Sequence, residues 1–297
     1  MKPVAAPTAY LLISHGSRDP RPQTEMDRLS GLIRSHLEDG LTAKRTALAE
    51  EQQRAKAASL CVTSGTIDTQ RGAGGTSVMT KPRQGKRVAK PAEAPVEVIV
   101  RTACLELAAL PLSEQIHELA QQLVVCGVKE LKLLPIFLMS GVHVMEDIPE
   151  EVEKARKLVG ESLQLTMCPH LGSHPKIGDV LAQRLASVPA EGSLLVAHGS
   201  RRPKGNRVIQ TLAKQLDTAV AYWSTPPDLE TQVITLMQQG CQKLTILPYF
   251  LFSGGITDAI AHRTEELAER FPKVQFRLLP TLGATREVAT LALDLIH

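Results

Sequence analysis

Two histidines and a glutamate stand where this chain could hold a divalent metal: His15, Glu106 and His143. His15 ends the apolar run Tyr10–Ser14 and is followed by Gly16-Ser17-Arg18. A histidine placed after a buried strand turns its ring toward the crevice above the sheet, and the glycine leaves room for a ligand near the backbone. Neutral imidazole ligates a divalent metal, and near neutral pH it also accepts a proton. Taken singly, His-Gly-Ser fits a structural histidine bonded to a loop carbonyl equally well. His143 lies two residues past Ser140-Gly141, in the loop after Leu131–Phe137, and Glu146 and Asp147 follow it. Those carboxylates either add ligand atoms or place negative charge where the next helix begins, which its dipole favours. Glu106 sits among apolar neighbours just before Pro111. A carboxylate there needs a metal, a protonated nitrogen, a helix cap or an inter-loop ion pair. Two imidazoles and a carboxylate suit Fe, Co, Ni or Zn and leave coordination positions open, whereas Mg or Ca would want more oxygens.

The blocks that carry these residues occur twice. Leu11–Arg18 (LLISHGSR) is echoed by Leu194–Arg201 (LLVAHGSR), Leu133–Gly141 by Ile246–Gly254, and Pro169–Gly172 by Pro280–Gly283. Matches in the same order mean a duplicated domain. The second copy keeps His198 in place of His15, but Ile256 falls where His143 would be, and Tyr222 or Trp223 where Glu106 would be. The first half is therefore expected to carry the chemistry.

Stepping along the chain gives the elements that must position these side chains. Short apolar runs at Tyr10–Ser14, Val96–Cys104, Leu131–Phe137 and Leu163–Cys168 read as buried parallel strands. Between them lie amphipathic helices at Pro22–Leu37, from Pro111 onward, and at Pro149–Val159, with Ile177–Leu185 closing the half. The second half repeats this order, from Ser193–Ala197 to Arg286–Ile296. Strands alternating with helices predict an α/β fold: two tandem, duplicated parallel-sheet domains, residues 1–186 and 187–297. Ligands of such sheets bind beyond the carboxyl ends of the strands, where His15, Glu106 and His143 lie.

One stretch, about 40–95, has no counterpart in the second half. Ala43–Leu60 could extend the preceding helix; beyond it comes a Gly/Ser/Thr-rich and then basic segment, with Lys81, Arg83, Lys86, Arg87 and Lys90. Such composition predicts a disordered insertion, either without a dedicated role or serving as a tether to an anionic surface or partner.

Composition excludes several classes. A net charge of +3 and only 3% aromatic residues argue against a nucleic-acid partner that needs basic surfaces or stacking platforms. The 5 cysteines form no CxxC pair, which fits a reducing compartment and gives no iron–sulfur ligand set. With no convincing signal peptide and no membrane-length apolar run, a cytoplasmic location is expected. No glycine-rich phosphate loop appears, which disfavours a phosphate-handling α/β enzyme.

Taken together, LISHGSR at Leu12–Arg18, Leu105-Glu106-Leu107-Ala108 with Pro111, and LPIFLMSGVHV running on to Asp147-Ile148-Pro149 resemble the class II chelatases of the CbiX/SirB type. The resemblance covers most of the chain outside the insertion, and that family includes long forms with two chelatase-like halves. It implies insertion of Fe or Co into sirohydrochlorin, with the metal as substrate and no permanently bound cofactor. Carried over by position, it makes His15, His143 and Glu106 the metal ligands, with His15 or His143 accepting pyrrole protons. Ser17, Arg18, Ser140, Gly141 and Arg201 are candidate substrate contacts, and Arg202 and Lys204 lie close by in sequence. The alternatives are a non-catalytic metal chaperone and a ferrochelatase acting on another tetrapyrrole. The insertion is not part of the family pattern, and the histidine-rich and cysteine-rich tails of some relatives are missing from this sequence.

Overall fold

In a computed structural model of the chain, residues 8–61, 98–202 and 204–296 are described. The segment expected to be disordered, whether without a dedicated role or as a tether, therefore lies, beyond residue 61, outside the described residues. Contacts group the chain into two compact units, Met1–His36 with Val98–His297, and Leu37–Glu97.

The first unit contains two four-stranded, wholly parallel sheets. One is ordered β2-β1-β3-β4, from β1 (Thr8–Ser14), β2 (Ile99–Cys104), β3 (Glu130–Pro135) and β4 (Gln164–Met167). The other is ordered β6-β5-β7-β8, from β5 (Gly192–Ala197), β6 (Ala219–Tyr222), β7 (Lys243–Pro248) and β8 (Gln275–Leu278). The duplicated α/β architecture expected from the repeats is thus present. The strands read as near-continuous apolar runs because both faces are covered. On one face of the first sheet, α2 (Leu112–Val125) and α3 (Ile148–Val159) bury Leu112, Ile116, Leu123, Ile148 and Val152 against Leu11, Ile13, Leu131 and Leu133. In the second sheet, α6 (Leu229–Gln238) and α7 (Gly255–Arg270) build the matching layer with Leu229, Val233, Ile260 and Leu267.

An inner strand of each sheet, β1 or β5, ends in a loop that carries a histidine, His15 or His198. β1 pairs with both β2 and β3, Ile13 lying opposite Ala103 and Pro135. Beyond the strands, Glu106 N donates to the His15 carbonyl at 2.9 Å, and Ile136 N to the Ile13 carbonyl at 2.8 Å. Neighbouring strand ends are therefore tied together just where the candidate side chains emerge.

Two features extend this frame. Helix α1 (Pro20–Cys61) runs 42 residues, past Leu37, so the continuation over Ala43–Leu60 that the sequence offers is present. From Leu37 it belongs to the second unit, where Asp39, Thr42, Thr46 and Glu50 are exposed. The other feature is an exchange of helices. The sequence assigns α4 (Ile177–Ala186) to the first half and α8 (Arg286–Ile296) to the second. In space α8 packs on β3 and on the Leu171–Ser173 turn of the first half. The Lys132 ammonium donates to the Ile296 carbonyl at 2.6 Å, and Ala284 N, just before α8, donates to the Glu25 carboxylate at 2.9 Å. Conversely, the Arg184 guanidinium of α4 donates to the Thr281 and Leu282 carbonyls, each at 2.6 Å. Among the described residues no helix is long and apolar enough to cross a membrane.

Candidate metal site

The structure brings His15, Glu106 and His143 together: one ligand atom from each lies within 4.8 Å of the others. His15 Nε2 is 3.9 Å from a Glu106 carboxylate oxygen, and the two imidazole rings meet edge to face, 4.7 Å apart at 86°. Ligands that share one ion at about 2.1 Å lie roughly 3–4 Å apart, so small side-chain rotations close the set. His15 and Glu106 are each about 50% exposed, so a hydrated metal can reach them from solvent. Phe137 stands behind both imidazoles, at 6.4 and 6.3 Å, as an apolar backstop.

Each side chain arrives by a local device. Gly16 has a φ of +95°, and a Cβ there would sit 2.0 Å from the Glu106 carbonyl oxygen, so only glycine lets the β1 and β2 loops touch. The approach sets the backbones of His15 and Glu106 side by side. His15 Nδ1 lies 3.2 Å from the Gly16 carbonyl, which leaves Nε2 facing Glu106.

His143 opens a single π turn, His143–Asp147, that leads into α3. Asp147 reaches back to His143, its carboxylate 2.7 Å from Nδ1. Sequence reading offers Asp147 only as an extra ligand or as charge for the helix dipole; here it is a hydrogen-bond partner of a candidate ligand. The i, i+4 spacing carries that signal. Glu146 points to a second partner, 3.7 Å from Arg202 of the other half.

The remaining candidates line the same loops without joining the cluster. Ser17 Oγ accepts from Asp19 N at 3.0 Å and shapes the turn. Arg18 and Arg201 are exposed and make no ion pair among the described residues. Ser140 and Gly141 are exposed at the foot of the His143 loop. Ties between the halves flank this region. Arg21 donates to Asp258 at 3.0 and 2.6 Å, and the Tyr249 hydroxyl to the Leu138 carbonyl at 3.4 Å. The hydrogen bonds from Arg21 hold the Asp258 carboxyl below the usual range. A hollow of about 280 Å³ between Arg21, Glu25, Ser253 and Thr281 lies where the halves meet.

In the second half His198 repeats the pose of His15, with Nδ1 3.0 Å from the Gly199 carbonyl. One sequence equivalence needs correcting. Glu106 N bonds to the His15 carbonyl, and Ser224 N bonds to the His198 carbonyl. Ser224, not Tyr222 or Trp223, therefore takes the place of Glu106; the loop after β6 carries residues that shifted a linear alignment. Ile256 packs against the second core, where His143 would face the site.

Comparison with known proteins agrees with this architecture. Over its described length the fold matches SirB from Bacillus subtilis with Fe3+, with a TM-score of 0.65 and 17% identity over 98% of this chain and 94% of that one. It also matches a multi-domain, chelatase-like protein of Deinococcus radiodurans, with a TM-score of 0.59 and 16% identity over 98% of this chain and 54% of that one. These define a chelatase-type duplicated fold. The CbiX family model matches twice, over residues 75–188 and 192–297, and the chain belongs to the CbiX family. By sequence it is 23% identical over 187 residues to the sirohydrochlorin ferrochelatase of Priestia megaterium, covering 58% of this chain and 68% of that one. It is 21% identical over 210 residues to the sirohydrochlorin cobaltochelatase of the same organism, covering 65% and 67%.

Proposed function

We propose that this protein is a sirohydrochlorin chelatase that inserts Fe or Co into the ring. The observation that carries the reading is the trio His15, Glu106 and His143 gathered from adjacent strand ends. Family membership and the activities named for its relatives support the substrate. On this reading residues 1–186 form the metal-bearing half and 187–297 a half with a reduced site.

Insertion replaces two pyrrolic N–H protons by one divalent metal, so a base must take protons while the metal loses its water. The trio supplies both. Glu106 and the two imidazoles displace water ligands; as the metal leaves, one imidazole accepts a ring proton as general base and the second ring proton passes to solvent. Three ligands, half exposed, hold the metal openly enough to surrender it to four ring nitrogens. Arg18 and Arg201 meet ring carboxylates as charge-assisted donors, with Ser17, Ser140 and Gly141 shaping the loops beneath. The test is anaerobic insertion into sirohydrochlorin with Fe, Co, Ni or Zn in turn, read by the ring's absorption. Turnover with Fe or Co that His15→Ala removes is expected. Metal binding without turnover would leave a metal carrier instead.

A further inference from the structure

We propose that Asp147 is a positioning residue of the metal site: it holds His143 by Nδ1 and so presents Nε2 to the metal. The proposal rests on the metal-site reading above. A carboxylate oxygen 2.7 Å from Nδ1 suits the tautomer with its proton on Nδ1, which leaves Nε2 as the nitrogen that can bind a metal. Such a partner fixes tautomer and ring orientation and strengthens the nitrogen as a donor to metal.

Among the described residues the Asp147 side chain has no partner besides His143. It occupies the N-cap position of α3, yet its torsions are helical and its side chain makes no cap hydrogen bond. Glu150 and Glu151 already place negative charge in the first turn of that helix. Among the described residues Asp147 forms no ion pair with lysine or arginine; its partner is His143.

The second half provides an internal control. Counted from the shared Ser-Gly, His143 corresponds to Ile256. Counted back from the first fully buried isoleucine of each helix, Ile148 and Ile260, Asp147 corresponds to Ala259. The first half thus has one residue more between these landmarks, and the extra residue is accommodated as the π turn. Inserted single turns of this kind recur at functional sites. Histidine, carboxylate and extra residue are present together in one half and missing together from the other. The pose of His15, by contrast, depends on its own loop carbonyl and is repeated at His198, whether or not ligands surround it.

The test titrates Co2+ alone into the metal-free full-length protein and follows both affinity and the visible ligand-field bands. His143→Ala serves as reference. Asp147→Ala should weaken Co2+ binding about 10–100-fold and alter the bands, with the melting temperature unchanged. Asp147→Asn keeps an acceptor oxygen and should recover most of the affinity. Wild-type affinity and bands in Asp147→Ala, alongside weakened binding in His143→Ala, would overturn the positioning role alone. A loss of affinity that tracks a lower melting temperature and is not rescued by asparagine would overturn it too. Unchanged Co2+ binding in His143→Ala would instead bring down the metal-site reading itself.

Discussion

His15 and His198 leave inner strands of their sheets, β1 and β5, at equivalent points, each ring bonded to the carbonyl of the next glycine. Their surroundings differ. Beside His15 the neighbouring strands deliver a carboxylate and a second imidazole. Beside His198 they deliver Ser224, whose hydroxyl donates to the His198 carbonyl at 2.8 Å, and Ile256, which faces the core. At the positions of the candidate ligands the second half has loop bonding and packing instead. Its fold is unharmed, because strand-end side chains contribute little to the burial that holds the sheet. Fold and chemistry are thus separable in this architecture, and a duplicated chain can lose one while keeping the other.

The largest effect expected from this comparison is on turnover. His143→Ala or His15→Ala should lower metal insertion about 10²–10⁴-fold, the usual weight of a positioned acid–base group, while His198→Ala keeps most of it. Equal losses at His15 and His198 would erase the distinction between the halves. Glu106→Gln should slow metal transfer at an unchanged melting temperature, since it removes charge and keeps size.

Next in size is stability, where the halves should behave alike. Leu133 and Ile246 are equivalent, fully buried strand residues. Each alanine substitution should cost about 2–5 kcal/mol in chemical denaturation. Because α4 and α8 are exchanged, both variants should still unfold in one transition. Two separated transitions would mean that the halves are independent.

A gain-of-site variant sharpens the comparison further. Ser224→Glu with Ile256→His rebuilds the trio around His198 but not the π turn or its carboxylate. It should bind a second Co2+ at least about 10-fold more weakly than the first site does. Equal affinity at the two sites would show that the trio suffices without a held imidazole. The smallest effect concerns α6, where Asp228 caps the helix by accepting from Thr231 N at 2.8 Å. Asp228→Ala should cost about 1 kcal/mol, and Asp228→Asn much less. That hydrogen bond holds the Asp228 carboxyl below its ordinary value, so the contribution is present above the unfolded pKa and fades as pH falls through the folded one. Melting at pH 7 and at pH 3 reads this directly.

Sequence alone carries the strands, most helices and the duplication, because buried parallel strands are written as apolar runs and glycine marks the loops between them. It also carries His15, Glu106 and His143, each standing just past such a run. The Ser224 equivalence lies deeper, since only the backbone bonds at the strand ends count residues correctly across loops of different composition. The Asp147 contact shows in the sequence only as i, i+4 spacing, because a carboxylate before a helix also reads as dipole complement until the π turn swings it onto a ring. The helix exchange leaves no local trace at all. Apolar periodicity says which face of α8 is buried, through Val288, Ala289, Ala292 and Ile296, but not on which sheet.

That exchange has a consequence in time. A ribosome makes the first sheet early, yet the helix that lies on β3 is made long after it. Roughly 130 residues separate the end of β4 from the end of α8, and at about 5–20 residues per second their synthesis takes on the order of 10 s. Through that interval the first half stands with part of its apolar face uncovered. Its completion waits on the translation of the second half, and a message broken within the codons of α8 damages the first sheet before the second.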